Sequence, residues 1–168
     1  MTSPETSVTR TWKAWSVVWA GALVGLIAAS STTRLAAQAS DQKTVQDAAE
    51  AFLLHLGDGD FDKVAADLAP KAIVVITRQR DGKWSNTYQT GEEWLAALRH
   101  STSFSKFREP MSNIKVTIDS DALAYLRADF QVVRDGKTLS HGVDQFTFVR
   151  EDGRWKVAAV AYTSIAGM

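Results

Sequence analysis

Apolar residues recur at helical spacing between Asp41 and Leu56, where Val45, Ala48, Ala49, Phe52, Leu53 and Leu56 fall on one side. Gly57 and Gly59 end that run. Asp60 can then cap a second, shorter helix with the stripe Phe61, Val64, Ala65 and Leu68, which Pro70 terminates. Neither helix is long enough to stand alone in water, so both must pack their apolar side on something else. Past Pro70 the pattern becomes that of strands. Ile73 to Arg80 is rich in β-branched residues, and Lys83 to Gln89 returns from Asp81-Gly82, a pair suited to the positive φ of a tight hairpin. Thr90-Gly91-Glu92-Glu93 reads as a capping box, in which Thr90 and Glu93 satisfy each other's free amides. It opens a third helix with Trp94, Leu95 and Leu98 on the buried side.

The rest of the chain alternates. Ile114, Val116 and Ile118 face one way within Asn113–Asp119. Ala124, Leu126, Ala128, Phe130 and Val132 share a face, and Tyr125, Arg127, Asp129 and Gln131 take the other. Asp135-Gly136 and Asp152-Gly153 mark further hairpins around Leu139–Val149 and Trp155–Ser164. The order helix, helix, strand, strand, helix and four strands has no βαβ alternation, which argues against a doubly wound fold. It predicts an α+β domain, with three helices packed on a strongly curved, mixed but mostly antiparallel sheet.

The N-terminus follows another pattern. Residues 1–13 are polar and carry Arg10 and Lys13, the sixteen residues Ala14 to Ala29 hold no charge, and Ala37-Gln38-Ala39 follows a polar stretch with Arg34. A basic, an apolar and a small-x-small segment in that order predict a signal peptide, residues 1–39, cleaved after Ala39. An uncleaved anchor is the alternative, although sixteen residues make a helix of about 24 Å against a hydrocarbon core of roughly 30 Å. Either way the domain, residues 40–168, is expected outside the cytoplasm, periplasmic or secreted.

Composition adds mainly exclusions. At 168 residues the chain has the length of one domain. Its 19 basic and 19 acidic side chains cancel, so no strong field draws it to nucleic acid. Three of those basic groups (Arg10, Lys13, Arg34) and one acidic group (Glu5) fall in residues 1–39, so the remainder nets −2. The absence of cysteine excludes disulfides, thiolate catalysis, cysteine-held zinc and a lipoprotein anchor. His55, His100 and His141 are dispersed without metal-ligand spacing, and no cofactor motif is present.

Val143-Asp144-Gln145-Phe146-Thr147-Phe148, then Glu151-Asp152-Gly153-Arg154-Trp155-Lys156-Val157, resembles the penultimate hairpin of nuclear-transport-factor-2-like (NTF2-like) domains, particularly SnoaL-like and lumazine-binding-type ones. Gly57-Asp58-Gly59-Asp60-Phe61-Asp62 resembles the usual link between the first two helices of that superfamily. The resemblance covers residues 41–168. It implies a cone-shaped domain that often dimerises through the outer sheet face, where Tyr125, Arg127 and Gln131 would lie.

The resemblance also permits a test of one family chemistry. Ketosteroid isomerase uses a carboxylate base, with a tyrosine and a protonated aspartic acid facing the enolate oxygen. Carried onto this chain, the base position falls on Ile76, the tyrosine on Phe52 and the oxyanion aspartate on Asp144. Isoleucine accepts no proton and phenylalanine donates no hydrogen bond, so steroid isomerisation is not expected. Asp144 is left sharing a face with Phe146 and Phe148. There it must be paired, be protonated or line a wet cavity. It reads either as the polar anchor of an apolar pocket or as a structural aspartate bonded to a backbone amide or an arginine.

Three functions fit these residues. The first is non-catalytic binding of a small hydrophobic molecule by Asp144, Phe52, Ile76, Trp94 and Phe130. The second is a cyclase, dehydratase or isomerase using another acid–base pair, with Asp144 and His55 as first suspects. The third is a homodimeric assembly module whose core is filled. An open cavity with one ionisable group favours the first, two ionisable groups facing one another favour the second, and a closed core favours the third. His100 suits a helix C-terminus, and His141 should alternate away from Asp144. Trp155 reads as packing, Trp84 as hairpin surface, and Arg78, Arg80 and Lys83 as a solvated basic hairpin.

Overall fold

The structure, a computed structural model, describes residues 20–167. Residues 1–19, which hold the basic part of the signal pattern, lie outside the described residues, and Ala39 falls within the first helix. Gln38–Met168 forms one packed unit, which holds the sheet and the helical residues packed on it. Among the described residues no helix is long and apolar enough to cross a membrane.

Helices α1 (Ala20–Asp58), α2 (Phe61–Asp67) and α3 (Gly91–Arg99) accompany strands β1 (Leu68–Arg80), β2 (Lys83–Thr90), β3 (Met111–Ser120), β4 (Leu123–Arg134), β5 (Lys137–Glu151) and β6 (Arg154–Ala166). The strands form one sheet in the order β2-β1-β6-β5-β4-β3. Every neighbouring pair is antiparallel except β1 and β6, whose parallel pairing joins the early hairpin to the later four-stranded meander.

The expected local devices are present. Asp81 and Gly82 have φ of 50° and 73°, Asp135 and Gly136 of 50° and 72°, and Asp152 and Gly153 of 49° and 74°. Both central residues of each turn are thus left-handed, which matches the twist of the strands they join. At the start of α3 the Glu93 amide donates to Thr90 Oγ1 at 3.2 Å and the Thr90 amide to Glu93 Oε2 at 2.8 Å. Strand β1 begins at Leu68 rather than Ile73, with its pairing to β6 shifted between those two residues. Pro70 supplies no amide to a ladder there, and Lys71 takes a φ of 62°.

The core lies between the helices and one face of the sheet. Val45, Ala49, Phe52 and Leu53 of α1 and Trp94 and Leu95 of α3 meet Val74, Ile76, Leu126, Phe146, Phe148 and Val160. Alternation along β4 holds as far as Gln131, with Ala124, Leu126, Ala128 and Phe130 buried and Tyr125 exposed. It lapses at Val132 and Val133, where the pairing to β5 shifts and both residues are half-buried. Trp155 is buried as packing, its indole Nε1 donating to Thr44 Oγ1 at 3.1 Å with the Arg150 guanidinium 4.3 Å above the ring. Trp84 is exposed on the hairpin.

Candidate functional site

The core is not filled. Helices α1 and α3, the inner face of the sheet and the segment after α3 enclose a cavity of about 540 Å³. Phe52, Ile76, Trp94, Phe130 and Asp144, the five residues expected to line a pocket, all stand on its wall. Phe52 stacks on Trp94 with ring centroids 6.1 Å apart and meets Phe146 edge-on at 5.8 Å. This aromatic lining is the kind of surface that takes up a small apolar molecule.

Strand register sets the polar end. Asp144 of β5 lies directly opposite Tyr162 of β6, and Tyr162 directly opposite Ile76 of β1. Ala128 of β4 completes the row on the other side of Asp144. Residues in direct register point to the same face, so the row crosses four strands toward the cavity. Asp144 is 2% exposed, and its Oδ2 has no protein hydrogen-bond donor. The expected structural partners, an amide or an arginine, are not at that atom.

The group that does reach the Asp144 carboxyl is another carboxyl, that of Glu109. Glu109 belongs to the segment between α3 and β3, which folds back over the cavity. The Phe107 amide donates to the Gly57 carbonyl at 3.0 Å, Arg108 pairs with Asp58 at 2.9 Å, and Arg108 and Val133 exchange backbone hydrogen bonds at 2.9 and 2.8 Å. Phe104 packs edge-on against Phe61 at 5.1 Å. Anchors to α1, α2 and β4 therefore hold the residues just before Glu109, and with them Glu109 itself.

The two carboxyls shift one another's chemistry. Burial pushes Asp144 up to about 7, with the hydrogen bond from Glu109 pulling the other way. Glu109 is held well above the usual carboxyl range, first by burial and then by the charge and hydrogen bond of Asp144. Two neighbouring carboxyls cannot both ionise readily, and both are raised. Tyr162 is pushed up to about 12 by burial, opposed by the Arg78 guanidinium beside it. A neutral phenol, a fixed cation and two carboxyls thus converge at one end of an apolar cavity.

His55 is not part of this arrangement. Its Nδ1 lies 2.7 Å from Asp67 Oδ2, tying α1 to α2, and it is absent from the cavity lining. The carboxyl beside Asp144 is therefore that of Glu109, while His55 stands away from it. His100 sits at the end of α3 with its ring 2.7 Å from the Ala96 carbonyl. His141 is exposed and opposite Ile165, on the other face from Asp144. Arg78 corrects the reading of a wholly solvated hairpin, because it lines the cavity.

Residues 37–161 match the family model of the SnoaL-like domain. The chain belongs to the SnoaL-like domain family. No curated protein matches it in sequence. Its fold recurs in solved structures of low identity. One is a protein of unknown function from Mycobacterium tuberculosis (15% identity, 77% of this chain and 75% of that one, TM-score 0.62). Another is an NTF2-like protein of unknown function from Pseudomonas putida KT2440 (11% identity, 74% and 87%, TM-score 0.60). A third is an NTF2-like protein with a cystatin-like fold from Novosphingobium aromaticivorans (15% identity, 81% and 91%, TM-score 0.60). They show that this SnoaL-like domain has the NTF2-like fold, a frame that hosts many functions. Its chemistry rests on its own side chains.

Two of those side chains, Arg78 and Glu109, are absent from the residues that sequence singles out for a cavity. Arg78 is legible in principle, because β1 alternation gives it the side of Val74 and Ile76. Tyr162 is legible as an aromatic able to line a cavity, though not as a polar group of the site. Glu109 carries a fainter signal: Phe104 and Phe107 in an otherwise polar stretch mark a loop that turns inward.

Proposed function

We propose that this SnoaL-like domain takes a small, largely apolar organic molecule into its cavity and moves a proton on it. The observation that carries this reading is the Asp144–Glu109 pair on the cavity wall. Two ionisable groups facing one another favour acid–base chemistry over simple binding. The open volume of about 540 Å³ speaks against a core filled by its own side chains.

The roles follow from the environments. Asp144, the member of the pair that ionises first, accepts a proton from carbon beside a carbonyl. Glu109 stays protonated and donates a hydrogen bond to Asp144, which holds the base in place. The neutral Tyr162 hydroxyl, directly across from Asp144, is a hydrogen-bond donor for an oxygen of the bound molecule. Isomerisation, dehydration and cyclisation all begin with such a proton transfer. Positioned acid–base catalysis contributes about 10²–10⁴-fold.

Deuterium exchange tests this without knowledge of the natural substrate. The full chain is incubated in D2O with acetophenone, cyclohexanone and 2-cyclohexenone, and loss of the proton signal beside the carbonyl is followed by NMR. Wild type should exceed Asp144→Asn by roughly 10²-fold on at least one ketone. Equal rates would remove Asp144 from proton transfer and leave a binding pocket.

The pattern of residues 1–39 supports export with cleavage after Ala39. The intact mass of the protein made with its own N-terminus in a bacterium tests this, and a mass that retains those residues overturns it.

A further inference from the structure

Among the described residues Arg78 is the one arginine on the cavity wall. Its direct neighbours across the sheet are Ser85 of β2 and Ser164 of β6, and Ser164 lines the cavity with it. Its guanidinium lies beside the Tyr162 hydroxyl. Hydroxyl groups are thus its nearest neighbours in the sheet, and no carboxylate bridges it among the described residues.

Four of the described arginines pair with a carboxylate, whereas Arg80, Arg134 and Arg154, like Arg78, do not. Of those four unpaired arginines only Arg78 lines the cavity. Arg99 has Asp62 at 2.7 Å, Arg108 has Asp58 at 2.9 Å, Arg127 has Asp129 at 2.6 Å and Arg150 has Asp41 at 2.8 Å. Arg78 makes no such bridge among the described residues. An arginine at a rim is often simply solvated. This one faces an apolar cavity with hydroxyl donors around it. A guanidinium is permanently charged, and its planar fork fits the two oxygens of a carboxylate. The Tyr162 and Ser164 hydroxyls can donate to the same anion.

We propose that Arg78, with Tyr162 and Ser164, forms an anion subsite, and that the molecule taken into the cavity is an apolar carboxylic acid bound as its carboxylate. Its hydrocarbon body lies against Phe52, Trp94 and Phe130. This assignment names the ligand class of the cavity and rests on the reading that the cavity takes a small apolar molecule.

A matched pair of probes tests it. 3-Phenylpropanoate and 3-phenylpropanamide share one hydrocarbon body and differ in charge. Each is titrated calorimetrically into the full chain at fixed salt, and the titrations are repeated on Arg78→Gln and on Tyr162→Phe. Arg78 is an exposed residue that lines the cavity at its edge, so Arg78→Gln should keep the wild-type melting profile. Wild type should bind the acid at least roughly tenfold more tightly than the amide. That gap should close in Arg78→Gln, through loss of acid binding alone, and narrow in Tyr162→Phe. Equal binding of acid and amide by wild type overturns the anion subsite and leaves the cavity reading intact. A gap that survives Arg78→Gln also overturns it, because the anion is then held elsewhere. Binding of neither probe overturns the apolar-pocket reading, and the subsite with it.

Discussion

Asp144 and Tyr162 are direct partners in the antiparallel pairing of β5 and β6, with Ile76 directly beyond Tyr162 on β1. The position where a steroid isomerase would carry its base is thus an apolar neighbour of a phenol, and the acid sits one strand further across. Ile76 leaves that position without an ionisable group, and the proposed proton chemistry falls instead to Asp144 and to Glu109 from the segment above it.

Asp144→Asn should separate function from stability. The aspartate is 2% exposed, and its Oδ2 has no hydrogen-bond partner. Keeping a buried carboxylate ionised is costly, and the amide has nearly the same shape without the charge. We expect the variant to be more stable than wild type by about 1 kcal/mol or more in urea unfolding near pH 8, while its exchange activity on ketones is lost. A variant less stable by that amount would show that Asp144 serves the fold rather than a site.

The same pair predicts an unusual pH dependence. An unfolded aspartate titrates near ~3.9, whereas in the folded domain burial pushes Asp144 up to about 7. Between those values the folded chain keeps a proton that the unfolded chain has released. The stability contributed by that proton is complete below the unfolded value and is lost as pH rises through about 7. Glu109, raised by burial and by Asp144, acts in the same sense. The other groups facing the pair are Tyr162 and the fixed cation Arg78, while the cavity side of α1 and α3 is apolar. Asp60, Glu93 and Asp129 are held below their ordinary values by bonds to Lys63, to Thr90, and to Asn113 and Arg127, so their contribution is present above the unfolded values and is lost at lower pH. Subtracting Asp144→Asn from wild type removes that common background. The difference should fall by up to about 1.4 kcal/mol per pH unit between about pH 4.5 and 7. A flat difference would mean that Asp144 has an ordinary pKa.

Local rules make most of the fold legible. The three Asp-Gly turns, the Thr90–Glu93 box and the alternation of β4 as far as Gln131 each need only a few neighbouring residues, and each forms as expected. The face of Asp144 follows from the same alternation. Glu109 does not follow, because nothing near it in the chain determines its position. Its segment has no period and is held by Gly57, Asp58 and Val133, all distant in sequence. Arg78 misleads for a different reason: its charge suggests solvent in a strand whose parity already points inward. Sites of this kind violate local expectations where function requires it.

His55→Ala should leave the cavity chemistry unchanged. The side chain joins α1 to α2 through Asp67 at 2.7 Å, with both partners about a quarter exposed (24% and 28%). Partly solvated pairs of this kind contribute about 0.2–1 kcal/mol. We expect a destabilisation in that range, read from urea melting, and wild-type exchange rates on the responsive ketone. A tenfold loss of exchange with the fold intact would return His55 to the acid–base groups.

Gly57→Ala should damage the site from a distance. Alanine is the better helix residue by about 1 kcal/mol, and Gly57 lies within α1, so propensity alone predicts a gain. Space predicts the reverse. A Cβ at Gly57 would stand 2.5 Å from the Phe107 carbonyl oxygen, a contact with backbone that only a shift of the segment can relieve. That shift would strain the Phe107–Gly57 hydrogen bond and move Glu109, two residues on, away from Asp144. Overpacking of this kind destabilises by about 1–3 kcal/mol, enough to exceed the helix term. The Phe107 amide should exchange with solvent at least tenfold faster, and ketone exchange should drop at least roughly tenfold below wild type. A Gly57→Ala variant with wild-type protection at Phe107 and full activity would show that the segment over the cavity does not depend on its docking to α1.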